Sequence, residues 1–232
     1  MFSSQEANSE KSYACLYAWE EKDRQMIRKI KDGMISDKVS QRILWLTIVF
    51  FIAFFGITIL SYYLLPEGFL LRKNRISDFK TSENFFLCTA QIFLYNILSV
   101  AFIFVGSMFA KRNEGEKAYR SYGRIGFFVF ILLNAVTLGT WSFTGNTNSV
   151  PLAARILRTF DIVHNAGLLE MYGQLLITSA LATKYLVMTE GRKTSTRSIQ
   201  EIPFSKSEIL TLIAGFFLML AGALVESRAI IG

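Results

Sequence analysis

The sequence predicts an all-α, polytopic helical membrane protein with about five transmembrane helices and an N-terminal cytoplasmic amphipathic helix. Three observations carry this. Of 232 residues, 52% are hydrophobic. The apolar residues gather into long runs, separated by short and strongly charged stretches. Lysine and arginine concentrate on alternate connections between those runs. A crossing of roughly 30 Å of hydrocarbon takes about 20 apolar residues in a helix, and the runs meet that length.

Residues 1–42 form a polar, charged segment without the short apolar core of a cleavable signal, so the first apolar run is expected to stay in the mature protein. Met1–Lys11 is too polar to bury a core of its own and is expected to be disordered. Over Ser12–Met34, Leu16, Ile27, Ile30 and Met34 fall roughly on one helical face, opposite Glu21, Lys22, Arg28 and Lys29. That pattern suits an amphipathic helix on the membrane surface, or one docked on neighbouring loops.

Residues 43–232 make up the membrane domain. The first span covers about 43–65, with Trp45 near one end and Tyr62 and Tyr63 near the other, where interfacial aromatics sit; Pro66 and Gly68 stop it. Further spans cover about 85–110, 125–144, 160–188 and 208–225. The fourth is the least apolar, holding Asp161, His164, Glu170, Gln174 and Lys184. No internal repeat of the kind seen in many secondary transporters is present.

Orientation follows from basic residues. The N-terminal segment carries eight, the second loop five and the fourth loop four, against four, two and one in the first loop, third loop and C-terminal tail. Seventeen against seven places the N-terminus in the cytoplasm and the C-terminus outside, in the cytoplasmic membrane. The net charge of +7 lies beside apolar runs, so its expected partners are anionic lipids, with no nucleic acid. Cys15 and Cys88 fall on opposite sides of the membrane in this topology and lack CxxC spacing, which makes them two free thiols.

Polar residues within the spans are costly in lipid and must face the protein. On the fourth span, Gly167, Glu170, Gln174 and Thr178 recur at steps of three and four and form one stripe, with His164 close to it. Asn96 and Ser99 align on the second span, and Asn134 lies on the third. These residues predict a buried polar network of Asn96, Ser99, Asn134, His164, Glu170 and Gln174. Gly106, Gly139, Gly167, Gly215 and Gly222 are the expected sites of close helix packing. The network can be packing alone, a proton-linked or peptide-contacting cavity, or a metal or catalytic site. His164 and Glu170 make only two ligands, and no HExxH, paired-carboxylate or GxSxG pattern accompanies them. No catalytic residue, metal or cofactor is therefore expected, and intramembrane hydrolysis ranks below the binding roles.

The stretch Ile92-Phe-Leu-Tyr-Asn96-Ile-Leu-Ser99, Gly106, Leu133-Asn134 with Leu138-Gly139, Gly167-Leu-Leu-Glu170, and a closing run ending Ala223-Leu-Val-Glu226 occur in this order over about 85–227. Together they resemble the stage II sporulation protein M family of polytopic membrane proteins. The chain departs from the family at one place: a His-Gly pair precedes the family's glutamate turn, whereas here Ala166 precedes Gly167 and His164 lies two positions earlier. The resemblance implies a non-enzymatic subunit or scaffold of a multiprotein membrane complex, partnered by other membrane proteins such as a cell-wall hydrolase complex. The alternative it implies is a permease-like component of peptide (bacteriocin) export or immunity, working with a separate ABC-type ATPase. No Walker A motif is present to energise transport within the chain itself. A second copy of the chain is a further expected partner.

Overall fold

In a computed structural model, residues 21–71, 82–113, 118–143 and 150–231 are described, and they are mostly helical. Residues 21–35 are helical and are called α1 here. The start of the predicted amphipathic segment, with Leu16, lies outside the described residues, as does Cys15. The C-terminal end of α1 packs onto the next helix: a Cβ added at Gly33 would fall 2.0 Å from the Trp45 ring.

The longest helices are α2 (Val39–Leu64, 26 residues), α3 (Phe85–Ser107, 23 residues) and α7 (Lys206–Ile231, 26 residues). At 1.5 Å rise per residue they extend about 39, 35 and 39 Å. These three are long and apolar enough to cross a membrane by length and composition. Two shorter helices lie beside them, α4 (Gly123–Gly139) and α6 (Gly167–Leu181), and a two-turn α5 (Leu152–Thr159) lies across one end.

Helix α6 occupies the middle. It packs chiefly on α7 and also touches α2, α3 and α4, and from Gly173 to Leu181 every residue is buried. A helix that is apolar nearly all round has no solvated face to present, and enclosure by its neighbours satisfies it. The main core joins Leu46, Phe50 and Phe54 of α2 to Phe127, Ile131 and Ala135 of α4 and to Met171 and Leu175 of α6. The outer surfaces of the long helices are apolar as well: Ile52, Phe86 and Phe217 are about 70% exposed or more (70%, 77% and 69%). A protein surrounded by water rarely keeps so much contiguous apolar surface.

The expected all-α architecture is incomplete. Strands β1 (Phe109–Arg112), β2 (Arg120–Ser121), β3 (Val187–Glu190) and β4 (Lys193–Thr196) form a sheet of order β2-β1-β3-β4, with β1 and β3 parallel. The register places Ser121, Ala110 and Met188 side by side, all buried, while their neighbours along the strands turn outward. This period-two burial seats one face of the sheet under the bundle. Gly191, at φ 55°, supplies the left-handed backbone of the β3–β4 turn.

Spans read from the sequence as 85–110 and 160–188 are thus shorter as helices. The second gives way to β1 after Ser107. The fourth is helical only over Gly167–Leu181, because Asp161, His164 and Asn165 close a turn before it and β3 begins soon after it. One end of the bundle gathers the start of α2, the end of α3, the start of α4, the end of α6 and the start of α7, joined by the sheet and by a buried ion cluster.

Candidate functional site

The ion cluster shows how the chain buries charge when it is used for structure. Arg42 is fully buried. Its guanidinium donates to Glu208 Oε1 at 2.7 Å and to Thr183 Oγ1 at 2.9 Å. Lys184 Nζ meets the other Glu208 oxygen at 2.8 Å and also donates to the Pro203 carbonyl. Ser205 and Glu208 form a reciprocal cap on α7: the Glu208 amide donates to Ser205 Oγ at 3.2 Å, and the Ser205 amide donates to the Glu208 carboxylate at 2.9 Å. Lys184, read from the sequence as lying inside the fourth span, therefore sits at the end of the bundle beyond α6.

The opposite end is closed by Arg155 of α5. Its fully buried guanidinium donates to the carbonyls of Val150 and Gly139, pairs with Glu67, and lies over the rings of Tyr62 and Trp141. Trp141 takes a left-handed φ of 51° just after α4, a conformation that a bulky residue adopts only where its surroundings hold it.

Near that end lies Glu170. The stripe on α6 places it in the first turn rather than in mid-helix, where the helix dipole favours a carboxylate. Asn96 of α3 donates its amide to Glu170 Oε1 at 2.5 Å. Gly222 of α7 makes room: a Cβ there would lie 2.7 Å from Glu170 Cγ. One turn along the same face of α7, Glu226 is close enough to act electrostatically on Glu170. Neither carboxylate forms an ion pair among the described residues.

Two cavities meet at this glutamate. One, of about 620 Å³, is bordered by Trp141, Arg158, His164 and Glu226. The other, of about 370 Å³, is bordered by Tyr95, Asn96, Ser99 and Gln174. Glu170, Gly167 and Asn134 line both. Gln174 is buried, and its side-chain oxygen has no hydrogen-bond partner among the described residues. The walls offer two carboxylates and an amide oxygen as acceptors, and Arg158 also lines the first cavity without pairing with either carboxylate.

The predicted network comes together only in part. Asn96, Ser99, Glu170 and Gln174 share one cavity. Asn134 borders it, yet its amide donates to the Phe130 carbonyl of its own helix at 2.9 Å and the residue is exposed. His164 is not buried: its side chain is 77% exposed, and Nδ1 lies 3.0 Å from both Asp161 carboxylate oxygens on the rim. The turn before α6 turns it outward. Among the described residues no group of three His, Cys, Asp or Glu is arranged to hold a metal ion.

Of the expected packing glycines, Gly139 faces the Thr58 carbonyl and Gly215 faces Gly173 and Ile177, at distances that exclude a side chain, while Gly106 faces the backbone at Gly123 at 3.1 Å, a tight fit for a methyl. Gly222 accommodates Glu170. Gly167 is different, meeting only its own turn through Asn165 Oδ1 at 3.4 Å. Sequence reasoning missed Glu226 as the neighbour of Glu170, and missed Arg42, Arg155 and Glu208 as buried ions. Each lies close to the end of an apolar run, where a charge reads as interfacial. Compared with protein families, with curated proteins and with solved structures, the chain gives no match.

Proposed function

We propose that this chain is a non-enzymatic integral membrane subunit that recognises another membrane protein, in the manner of the stage II sporulation protein M family. In this reading α2, α3, α4, α6 and α7 cross the bilayer, with the N-terminus cytoplasmic and the C-terminus outside. The alternating directions of the five helices, and the basic segments joined at the Arg42 end, support that path.

The observation that carries the function is the pair Glu170 and Glu226, which line one cavity with Arg158 and form no ion pair with it or with any other described residue. A carboxylate in a low-dielectric setting requires donors or a countercharge. Asn96 supplies one donor, and the remaining demand suits a lysine, arginine or amine from a partner's helix or peptide. A second reading, a permease-like component working with a separate ABC-type ATPase, is favoured by the two cavities meeting at Glu170, which give an extended segment two adjoining compartments.

The test is purification from the native membrane in mild detergent, comparing the parent with Glu170→Leu/Glu226→Leu. A stoichiometric membrane partner lost from the variant supports the reading; a cell-wall hydrolase complex favours the scaffold and an ATPase the export component. A partner retained in full by a folded variant refutes the role of the carboxylates. Topology is checked in a background lacking Cys15 and Cys88, with single cysteines at Ser198 and at Asn148, the latter outside the described residues. A reagent confined to the exterior should label Asn148→Cys and not Ser198→Cys; the reverse pattern overturns the orientation.

A further inference from the structure

A further cavity lies at the Arg42 end, away from Glu170. It has a volume of about 720 Å³ and runs between the end of α1, the β1–β2 edge and the outer face of α4. Its polar part is cationic, formed by Lys111, Arg120 and Arg124, and no carboxylate of a described residue lines it. Its apolar part descends along α4 through Ile125, Val129 and Leu132, which recur at steps of four and three and are all exposed. A headgroup region thus sits directly above a strip long enough for the upper part of an acyl chain.

Arg124 provides an independent observation. The residue is only 8% exposed. One guanidinium nitrogen donates weakly to the Met34 carbonyl at 3.4 Å, while the other, Nη2, has no hydrogen-bond partner among the described residues. Arg120 and Arg42 lie close enough to repel it. A buried guanidinium with an unmet donor calls for an acceptor, and an anion meets it best. Arg124 is also the second residue of α4, so the positive dipole end of that helix lies at the same place.

We infer that this trough binds one anionic phospholipid, its phosphate held by Lys111 and Arg124 and its acyl chain laid along Ile125, Val129 and Leu132. Charge complementarity selects an anion, and the continuous apolar strip selects a lipid over a free phosphate. The inference rests on the reading of the bundle as membrane-embedded, and it adds a lipid requirement at the end of the bundle away from the Glu170 cavities.

The test uses the full chain purified in mild detergent. Phosphatidylglycerol, phosphatidylcholine and free glycerol phosphate are added separately, and retained molecules are counted by native mass spectrometry. Phosphatidylglycerol should be retained in preference to phosphatidylcholine. Since each cation near a lipid surface contributes a factor of about five, Lys111→Gln and Arg124→Gln should each reduce that preference about fivefold. Lys111 is exposed, so its variant keeps the test valid should Arg124→Gln fail to fold. Equal retention of both lipids, or a preference unchanged in Lys111→Gln, overturns the site. Glycerol phosphate bound as tightly as the lipid overturns the acyl strip. A chain that remains soluble after detergent removal would instead refute the membrane reading on which the site rests.

Discussion

Glu208 and Glu170 are both glutamates in the first turn of a helix, and both lie where helices of this bundle meet. Around Glu208, an arginine, a lysine and a serine cap use both carboxylate oxygens and tie α2 and α7 to the end of α6. Around Glu170, the protein supplies one amide donor, a second carboxylate and open volume. A residue whose bonding capacity is consumed by its own chain serves the fold. One whose capacity is left facing a cavity is available to a partner. The contrast is the reason for proposing a binding role at the Glu170 end, and it makes no appeal to hydropathy, which treats the two residues alike.

The largest expected effect breaks the first half of the comparison. Arg42→Met leaves Glu208 with Lys184 and the Ser205 cap, and removing one member of a buried ion cluster costs about 3–5 kcal/mol. Thermal unfolding in detergent should show this as the largest loss among single substitutions in the bundle. An unchanged midpoint would mean that Lys184 and Ser205 satisfy Glu208 without the arginine.

The next effect concerns the seam between α6 and α7, which sets where Glu170 can lie. Gly215→Ala would drive a methyl to 2.8 Å from the Gly173 carbonyl and 2.7 Å from Ile177, and such overpacking costs about 1–3 kcal/mol. Gly222→Ala presses only on the flexible Glu170 side chain, meeting the Ala166 carbonyl at an ordinary 3.6 Å, and should cost less while displacing that carboxylate from α7. Equal losses in the two variants would show that Glu170 is held as rigidly as backbone.

Much of this arrangement was legible in the sequence, and the reasons for the remainder are specific. Long apolar runs mark α2, α3 and α7 because a helix long and apolar enough to cross a membrane carries no polar stripe. Asn96, Glu170 and Gln174 stood out because each polar atom in such a run needs a partner. The turn before α6 was hidden, since Ile162 and Val163 keep the local hydropathy high while Asp161 and Asn165 close it. The sheet was hidden because its strands are four residues or shorter and its central parallel pairing joins segments far apart in sequence. Arg42 and Glu208 are separated by 166 positions, so their pairing was invisible. The reciprocal cap on α7 is readable in Ser205-Lys-Ser-Glu208, a serine three residues before a glutamate.

A smaller effect sharpens the second half of the comparison. Glu170→Gln retains an acceptor for Asn96, whereas Glu170→Leu removes it and should cost about 1–2 kcal/mol, the scale of one interhelical hydrogen bond in a membrane. Under the partner-binding reading, both variants fold and both lose the partner, because neither offers a charge. A Gln variant that binds normally would reduce Glu170 to a packing residue. Stability and co-purification measured on the same samples separate the two outcomes.

The smallest effect concerns a third glutamate, which provides the reference for an exposed pair. Glu190 at the end of β3 accepts from the Arg112 guanidinium, and the Tyr119 hydroxyl lies 3.5 Å away. The side chain is 41% exposed. The Arg112 hydrogen bond, foremost among the causes, holds the Glu190 carboxyl below its ordinary value. A carboxyl whose folded value is depressed stabilises the protein above the unfolded value and ceases to do so as pH falls through the folded one. The difference in unfolding midpoint between the parent and Glu190→Gln should therefore be small and constant from pH 7 to 5, then shrink below the unfolded carboxyl value of about 4.3. Added salt should diminish it at neutral pH, as screening does for surface ions and not for the Arg42 cluster. A difference that persists undiminished at pH 3 would show that Glu190 acts through strand packing and not through its charge. The exposed pair would then cease to be an electrostatic reference for the two buried glutamates.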